Sequence, residues 1–414
     1  MNAAFSRRRF LYGAAAAAGT AAWAGAARAE EEAGETVVNS LVRPEAPPLP
    51  GAVPLAPPDR QPPHLDVPKP QRKLGWAVVG IGELTLGQIL PAFGEAKKSK
   101  PVALVSGHPE KAKQVAEVYG VPGQSIYNYE NFDSIRDNPD IDVVYIVLPN
   151  SMHAEYTVRG LEAGKHVLCE KPMAVSVEEC ERMIAAAEKA GRELGIAYRL
   201  HYEPMNRTVM EMCRAKKFGN IKTFTGSFCQ DVKAPNIRLS GPLGGGPAGD
   251  MGIYCINAAR YTIDEEPIEA VAVQVQPKSD PRFREVPETV SFLLRYPSGI
   301  VAECECSLGT SRSSNYQVLC EKGSIAMEPA YNYEGLRLFT SEKRDGTPLR
   351  VEHRIPGVNQ FAAEMDAFSN AVMNNEPVRT PGGMGLADIR IILAVLESAR
   401  QGGRPVSIGS LAPV

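Results

Sequence analysis

The feature that most restricts this chain is a series of short apolar runs alternating with helical stretches between Lys73 and Ala197. Trp76–Val79, Val102–Val105, Val143–Val147, His166–Cys169 and Leu194–Ala197 are apolar without the period-two alternation of a half-exposed strand. Strands of that kind are covered on both faces. Helix-period stretches such as Pro109–Tyr119 and Val177–Ala190 separate them. Buried strands alternating with helices predict an α/β domain with a parallel, doubly wound sheet.

After Tyr198 the texture changes. A helix is expected over Pro204–Ala215, then a strand over Ile221–Phe228, a Gly/Pro loop, and a helix from about Ala248 to Tyr261. Strands are expected near Glu269–Val275, Thr289–Tyr296, Ile300–Cys306, Tyr316–Leu319 and Ser324–Met327. Strands in succession without intervening helices predict an α+β domain with a large, mostly antiparallel open sheet. Helices over Asn359–Asn374 and Gly385–Arg400 close the chain. The 414 residues are enough for two such domains.

The first residues read as an address. Ser6-Arg7-Arg8-Arg9-Phe10-Leu11 has the form of a twin-arginine export signature, an Ala/Gly-rich apolar stretch follows, and Ala27-Arg28-Ala29 suits a cleavage site. The expected organisation is therefore a signal peptide over 1–29, a Pro-rich arm over 30–72, a Rossmann domain over 73–197 and an α+β domain over 198–414. The expected location is the periplasm. Prolines crowd the arm from Pro44 to Pro70. Each lacks an amide donor and fixes φ, so helix and central strand are excluded. Composition is compatible with a plain linker or with an arm docked on another subunit. The eight cysteines form no CxxC and no zinc-ligand spacing with histidine. A net charge of −3 gives no basic footprint for nucleic acid. Beyond the first thirty residues no apolar run is long enough to span a bilayer.

Gly80-Ile81-Gly82 stands between the first strand and the first helix. In that position glycines let the backbone approach a pyrophosphate at a helix N-terminus, which marks a dinucleotide site. The third glycine of the usual GxGxxG is replaced by Thr85. An acidic residue ending the second strand would repel a 2′-phosphate; here Ser106-Gly107 and then Lys111 follow instead, so NADP is expected. Lys111 also fits a solvated helix lysine. Leu148, Asn150 and His153 follow the third strong strand, at the edge of the ligand crevice, and are candidates for ribose or nicotinamide contacts. His153 is equally compatible with a capping histidine.

Glu170-Lys171-Pro172 ends the next strand in the same crevice. A lysine there can donate to a substrate hydroxyl and support a neighbouring acid/base group. A cis peptide is expected between Lys171 and Pro172. In the second domain, Gly244–Tyr254 runs from a glycine loop into a helix, with Asp250 and Tyr254 spaced i, i+4 on one face. Tyr254 there can be a proton carrier or a core tyrosine.

Together, the GxG turn, Glu170-Lys171-Pro172 and the Asp250-Met251-Gly252-Ile253-Tyr254 segment resemble the Gfo/Idh/MocA oxidoreductases, particularly the sugar-converting glucose–fructose oxidoreductases. Leu104–Gly107, Leu148–Ser151, Gly164–Val167 and Tyr198–Tyr202 extend the resemblance. It implies that Lys171 and Tyr254 carry catalysis, that Asp250 supports substrate, and that Glu170 and Tyr198 border the cofactor. It also implies that His201, Tyr202 and Arg238 meet a sugar. The activity implied is oxidation of an aldose to a lactone coupled to reduction of a second sugar to a polyol, in a homo-oligomer joined through the open sheet. Only Arg238 remains of the arginine-rich loop of the sugar-converting relatives, and Glu83 stands where they carry a basic residue.

Overall fold

The computed structural model describes residues 72–409. The twin-arginine segment and the Pro-rich arm up to residue 71 lie outside the described residues, as do residues 410–414.

The first sheet contains β1 (Leu74–Val79), β2 (Ser99–Val105), β3 (Ile126–Tyr127), β4 (Val143–Ile146), β5 (His166–Glu170) and β6 (Leu194–Ala197). All pair in parallel, in the order β3-β2-β1-β4-β5-β6. The order reverses between β1 and β4, and ligands of such sheets bind at that switch point, beyond the strand C-termini. Every residue of β1 and β4 is buried, as the unalternating apolar runs require. Helices α1 (Pro109–Tyr119), α2 (His153–Glu162) and α3 (Val177–Ala190) connect the strands. Pro109 opens α1 and Gly120 closes it in the left-handed conformation at φ 68°. The Ser176 hydroxyl caps α3 by accepting from the Glu179 amide.

The chain then forms α4 (Pro204–Arg214), β7 (Ile221–Asp231) and α5 (Ile253–Ile263). Next come β8 (Glu269–Val275), β9 (Thr289–Arg295), β10 (Val301–Ser307), β11 (Gly309–Cys320), β12 (Gly323–Met327), β13 (Leu338–Arg344) and β14 (Thr347–His353). With β15 (Val406–Ser407) these make a nine-stranded sheet in the order β14-β13-β12-β11-β7-β10-β9-β8-β15. Its pairings are antiparallel except β7 with β10. The hairpin β13–β14 is absent from the sequence reading. Its strands are charge-rich, with Glu342, Lys343, Arg344 and Arg350, and β14 is largely exposed, so the hairpin carries little of the apolar pattern on which that reading depends.

Two helices close the molecule, α6 (Gln360–Asn374) and α7 (Gly382–Arg400). The sequence reading assigns both to the second domain. The structure instead lays α6 on the first sheet, where Phe361, Met365 and Phe368 share a core with Trp76, Leu104 and Tyr145. Trp76 is fully buried, meets Phe368 and Tyr145 edge-on at 5.7 and 5.9 Å, and donates its indole N–H to the Ser369 hydroxyl at 3.1 Å. Such aromatic pairs add about 0.5–1.5 kcal/mol each beyond area burial. Among the described residues the cysteines are free, buried except for Cys320, and no cluster suits a metal ion. No described helix is long and apolar enough to cross a membrane.

Candidate active site

At the mouth of β1, Gly80 adopts φ 94°, and a Cβ on it would lie 2.2 Å from the Val147 carbonyl oxygen. Only glycine fits there. Gly82 has nothing within 4 Å of where a Cβ would be, so its backbone is open to a ligand. The following helix begins with a π-type turn, Thr85–Ile89. Thr85, at the position of the missing third glycine, is buried and donates its hydroxyl to the Gly80 carbonyl at 2.6 Å, which pins the turn. The Lys111 ammonium donates to the Ile81 carbonyl at 2.5 Å, so its charge hangs over the glycine turn. At the end of β2 the Ser106 hydroxyl accepts from the His108 amide at 3.1 Å, and Gly107 lies against the Tyr129 ring. An open glycine turn, a hydroxyl without a carboxylate at the end of β2, and a nearby ammonium together fit a 2′-phosphorylated dinucleotide. Glu83 is exposed.

Several expected contacts turn out to be braces. The sequence reading leaves His153 open between a cofactor contact and a capping or surface histidine; its ring is fully buried, with Nδ1 at 2.8 Å from the Pro172 carbonyl and Nε2 at 2.9 Å from the Leu148 carbonyl. Neither nitrogen is left for a nucleotide, and burial pushes its pKa down. Asn150 donates to the Gly244 carbonyl at 2.8 Å and so ties the crevice to the glycine loop. His201 is expected at the substrate; it is buried instead, with Nε2 at 2.7 Å from Asn257 Oδ1, and burial lowers its pKa to about 4. Asn257 in turn donates to Asp388, which Arg260 also holds at 2.7 Å. Tyr202 likewise turns inward, its hydroxyl bonded to Thr380 at 2.9 Å. These residues are apolar enough in body, and satisfied enough in their polar atoms, to serve as core. Tyr198 lines a small pocket together with Lys171 and Tyr254.

The candidate catalytic groups meet where the end of β5 faces the start of α5. Lys171, with its cis peptide to Pro172, donates from Nζ to Asp250 Oδ1 and to the Asp250 carbonyl, both at 3.1 Å. Arg238 Nε donates to the other Asp250 oxygen at 2.5 Å. Burial alone would raise the Asp250 pKa; the Lys171 and Arg238 cations outweigh it and hold it at about 2. Burial alone would lower the lysine, yet Asp250 first, then Tyr254 and Glu170, keep it raised and charged. Asp250 sits not in regular α-helix, as the sequence reading has it, but in a π-type turn, Ala248–Gly252, leading into α5. The Lys171 ammonium lies 4.9 Å from the centre of the Tyr254 ring. Phe228 packs edge-on against that ring at 5.0 Å. Glu170 is buried and accepts from the Tyr145 hydroxyl at 2.9 Å, and burial raises its pKa. Lys171, Arg199, Arg238, Asp250, Tyr254 and Tyr333 share one pocket. The sequence reading misses Arg199 and Tyr333. Arg199 lies two residues past the end of β6, a position at the crevice that makes any polar side chain a candidate. Tyr333 lies in a loop with no local signal.

The family model described as an oxidoreductase family with an NAD-binding Rossmann fold matches residues 74–198. The model of the GFO/IDH/MocA C-terminal domain matches residues 206–326. A D-xylose 1-dehydrogenase [NADP(+)] from Haloarcula marismortui is 30% identical over 332 residues, covering 78% of this chain and 90% of that protein. The crystal structure of an aldose–aldose oxidoreductase from Caulobacter crescentus, complexed with glycerol, is 40% identical with a TM-score of 0.78, covering 81% of this chain and 100% of that one. A 3-ketoreductase from Actinomadura kijaniata, solved with NADP and TDP-benzene, is 26% identical with a TM-score of 0.69, covering 79% of this chain and 98% of that one. With both sheets, the switch-point crevice and both family domains in place, this chain belongs to the Gfo/Idh/MocA oxidoreductase family.

Proposed function

We propose that this protein is a periplasmic, NADP-dependent sugar oxidoreductase that oxidises an aldose to a lactone and reduces a second sugar carbonyl to a polyol. The observation that carries the reading is the convergence of Lys171, Asp250 and Tyr254 at the strand ends beside the glycine turn. Gly80, Ile81 and Gly82 would receive the pyrophosphate, and Ser106, Gly107 and Lys111 the 2′-phosphate end. NADP, when bound, supplies hydride exchange with the sugar carbon. Tyr254 takes the proton of the anomeric hydroxyl in the first half-reaction and returns it to the carbonyl oxygen of the second sugar. An ammonium has three donors; two of those of Lys171 are spent on Asp250, and the third remains for the sugar oxygen. The two half-reactions are chemically opposed, so proton and electron pair balance over one cycle. That suits a protein exported with its cofactor and cut off from cytoplasmic reductant, as the Ser6–Leu11 signature implies. The likeness to an aldose–aldose oxidoreductase supports the two-sugar cycle.

The test is the absorbance of the freshly purified protein. Glucose alone should raise the reduced-nicotinamide band once, without added NADP, and a second aldose or a ketose should discharge it. A protein that loses NADP on dilution and needs it added at each turnover would be a simple sugar dehydrogenase, the reading that the xylose dehydrogenase relative favours. No turnover with any sugar pair would leave a binding protein. We further propose a homo-oligomer, dimer or tetramer, joined through the open face of the second sheet. Val273, Val275 and Leu293 are exposed there. Sedimentation as a monomer would refute it.

A further inference from the structure

Arg199 begins the turn after β6 and is only 4% exposed. Its guanidinium is held on every side. It donates to the Tyr331 carbonyl at 2.7 Å, to the Asn332 carbonyl at 3.3 Å and to the Gln360 side-chain oxygen. Its plane lies 4.7 Å from the Tyr333 ring centre and 6.0 Å from that of Phe361. Its remaining hydrogen bond goes to the Tyr254 hydroxyl at 3.3 Å. All four acceptors are uncharged, so the positive charge is not spent on a bonded carboxylate.

Two consequences follow from elementary chemistry. Guanidinium is always charged and can only donate. The phenolic oxygen of Tyr254 therefore accepts from Arg199, and its own proton has to point elsewhere, into the pocket. A charge-assisted bond also strengthens as its acceptor gains negative charge. Lys171 and Arg199 both lie over the Tyr254 ring, at 4.9 and 5.2 Å from its centre, but Lys171 spends two of its donors on Asp250, and it is Arg199 that bonds the hydroxyl.

We propose that Arg199 is the positioning residue for proton transfer at Tyr254, turning the phenolic proton toward substrate and offsetting the charge left when that proton departs. The division of labour is then Lys171 for the sugar oxygen and Arg199 for the tyrosine oxygen. The proposal rests on Tyr254 being the proton carrier, and the experiment separates the two claims.

The full-length holoenzyme is made as Arg199→Met, Arg199→Lys, Tyr254→Phe and the double variant Arg199→Met/Tyr254→Phe. Each is assayed for kcat and KM of aldose oxidation across pH, with bound NADP and thermal unfolding as controls. Arg199→Met should lose roughly tenfold to a hundredfold in kcat near neutral pH, the worth of a hydrogen bond to a charged group. KM should stay within about twofold of the wild type, well under one tenfold step. The lost rate should return as pH rises, and Arg199→Lys should recover part of it. On the Tyr254→Phe background, Arg199→Met should cost nothing further in kcat. An equal loss on that background, or an unmoved pH profile, would overturn the proposal while leaving Tyr254 as proton carrier. Near wild-type turnover in Tyr254→Phe would instead sink the parent reading. If Arg199→Met does not fold, Gln360→Leu removes one anchor of the guanidinium and should move the pH profile the same way by a smaller amount; an unmoved profile there also overturns the proposal.

Discussion

Asp250→Asn is the most informative single change, because it removes one charge and leaves two cations facing each other. The side chain is 13% exposed and is held by Lys171, also 13% exposed, and by Arg238, 36% exposed. Losing one partner of a buried pair costs about 3–5 kcal/mol, but the half-open Arg238 side is screened by solvent. Proton linkage gives a second route to the magnitude. The carboxyl moves from 3.8 to about 2 on folding. At about 1.4 kcal/mol per tenfold change in proton affinity, that is roughly 2 kcal/mol of native stability. The sign follows from a depressed acid: the contribution is present above the unfolded value near 3.8 and is lost as pH falls toward about 2. We therefore expect Asp250→Asn to be less stable by roughly 2 kcal/mol at neutral pH, with the gap closing only below about pH 4. Turnover should fall by about tenfold to a hundredfold, because Lys171 loses the group that aims it. Denaturant unfolding of both proteins from pH 7 downward, with parallel kcat measurements, tests this. A stability gap that is the same at pH 3 and pH 7, or a variant with wild-type turnover, would refute the argument.

Tyr254→Phe keeps the ring packed against Phe228 and removes the proposed proton carrier, so turnover should drop at least about a hundredfold while NADP stays bound and the melting temperature holds; steady-state kinetics and absorbance check it. Ser106→Asp should shift preference from NADP toward NAD, because a carboxylate repels the 2′-phosphate and can accept from a ribose hydroxyl; unchanged relative affinities would remove Ser106 from the site. Gly80→Ala has to adopt φ 94° and push a methyl toward the Val147 carbonyl. The backbone conformation alone costs about 1–3 kcal/mol, so thermal unfolding should show a clear loss and cofactor retention should fail with it.

What could be read along the chain was whatever depends on neighbours in sequence. The strands β1, β4, β5 and β6, and the Ala103–Val105 end of β2, announce themselves because burial on both faces demands an apolar residue at nearly every position. Gly80 is legible because a tight turn onto a helix has few chemical solutions; Asp250 and Tyr254 could be read only as neighbours on one helical segment, and the π-type turn that carries Asp250 could not. The tertiary structure alone decided what each polar side chain faces. His153 was a candidate by position and His201 by the family resemblance, yet both are consumed by partners inside the core. Arg199 looked unremarkable, yet the fold brings it to Gln360 across 161 residues and to Tyr254 across 55. Helix α6 has an ordinary amphipathic pattern, and nothing local states that its apolar face belongs on the first sheet, against Trp76. Hydrophobic burial is non-directional, so the pattern says only that a face is buried. Hydrogen bonds and ion pairs depend on distances of a few tenths of an ångström, which exist only once the two sheets have been brought together.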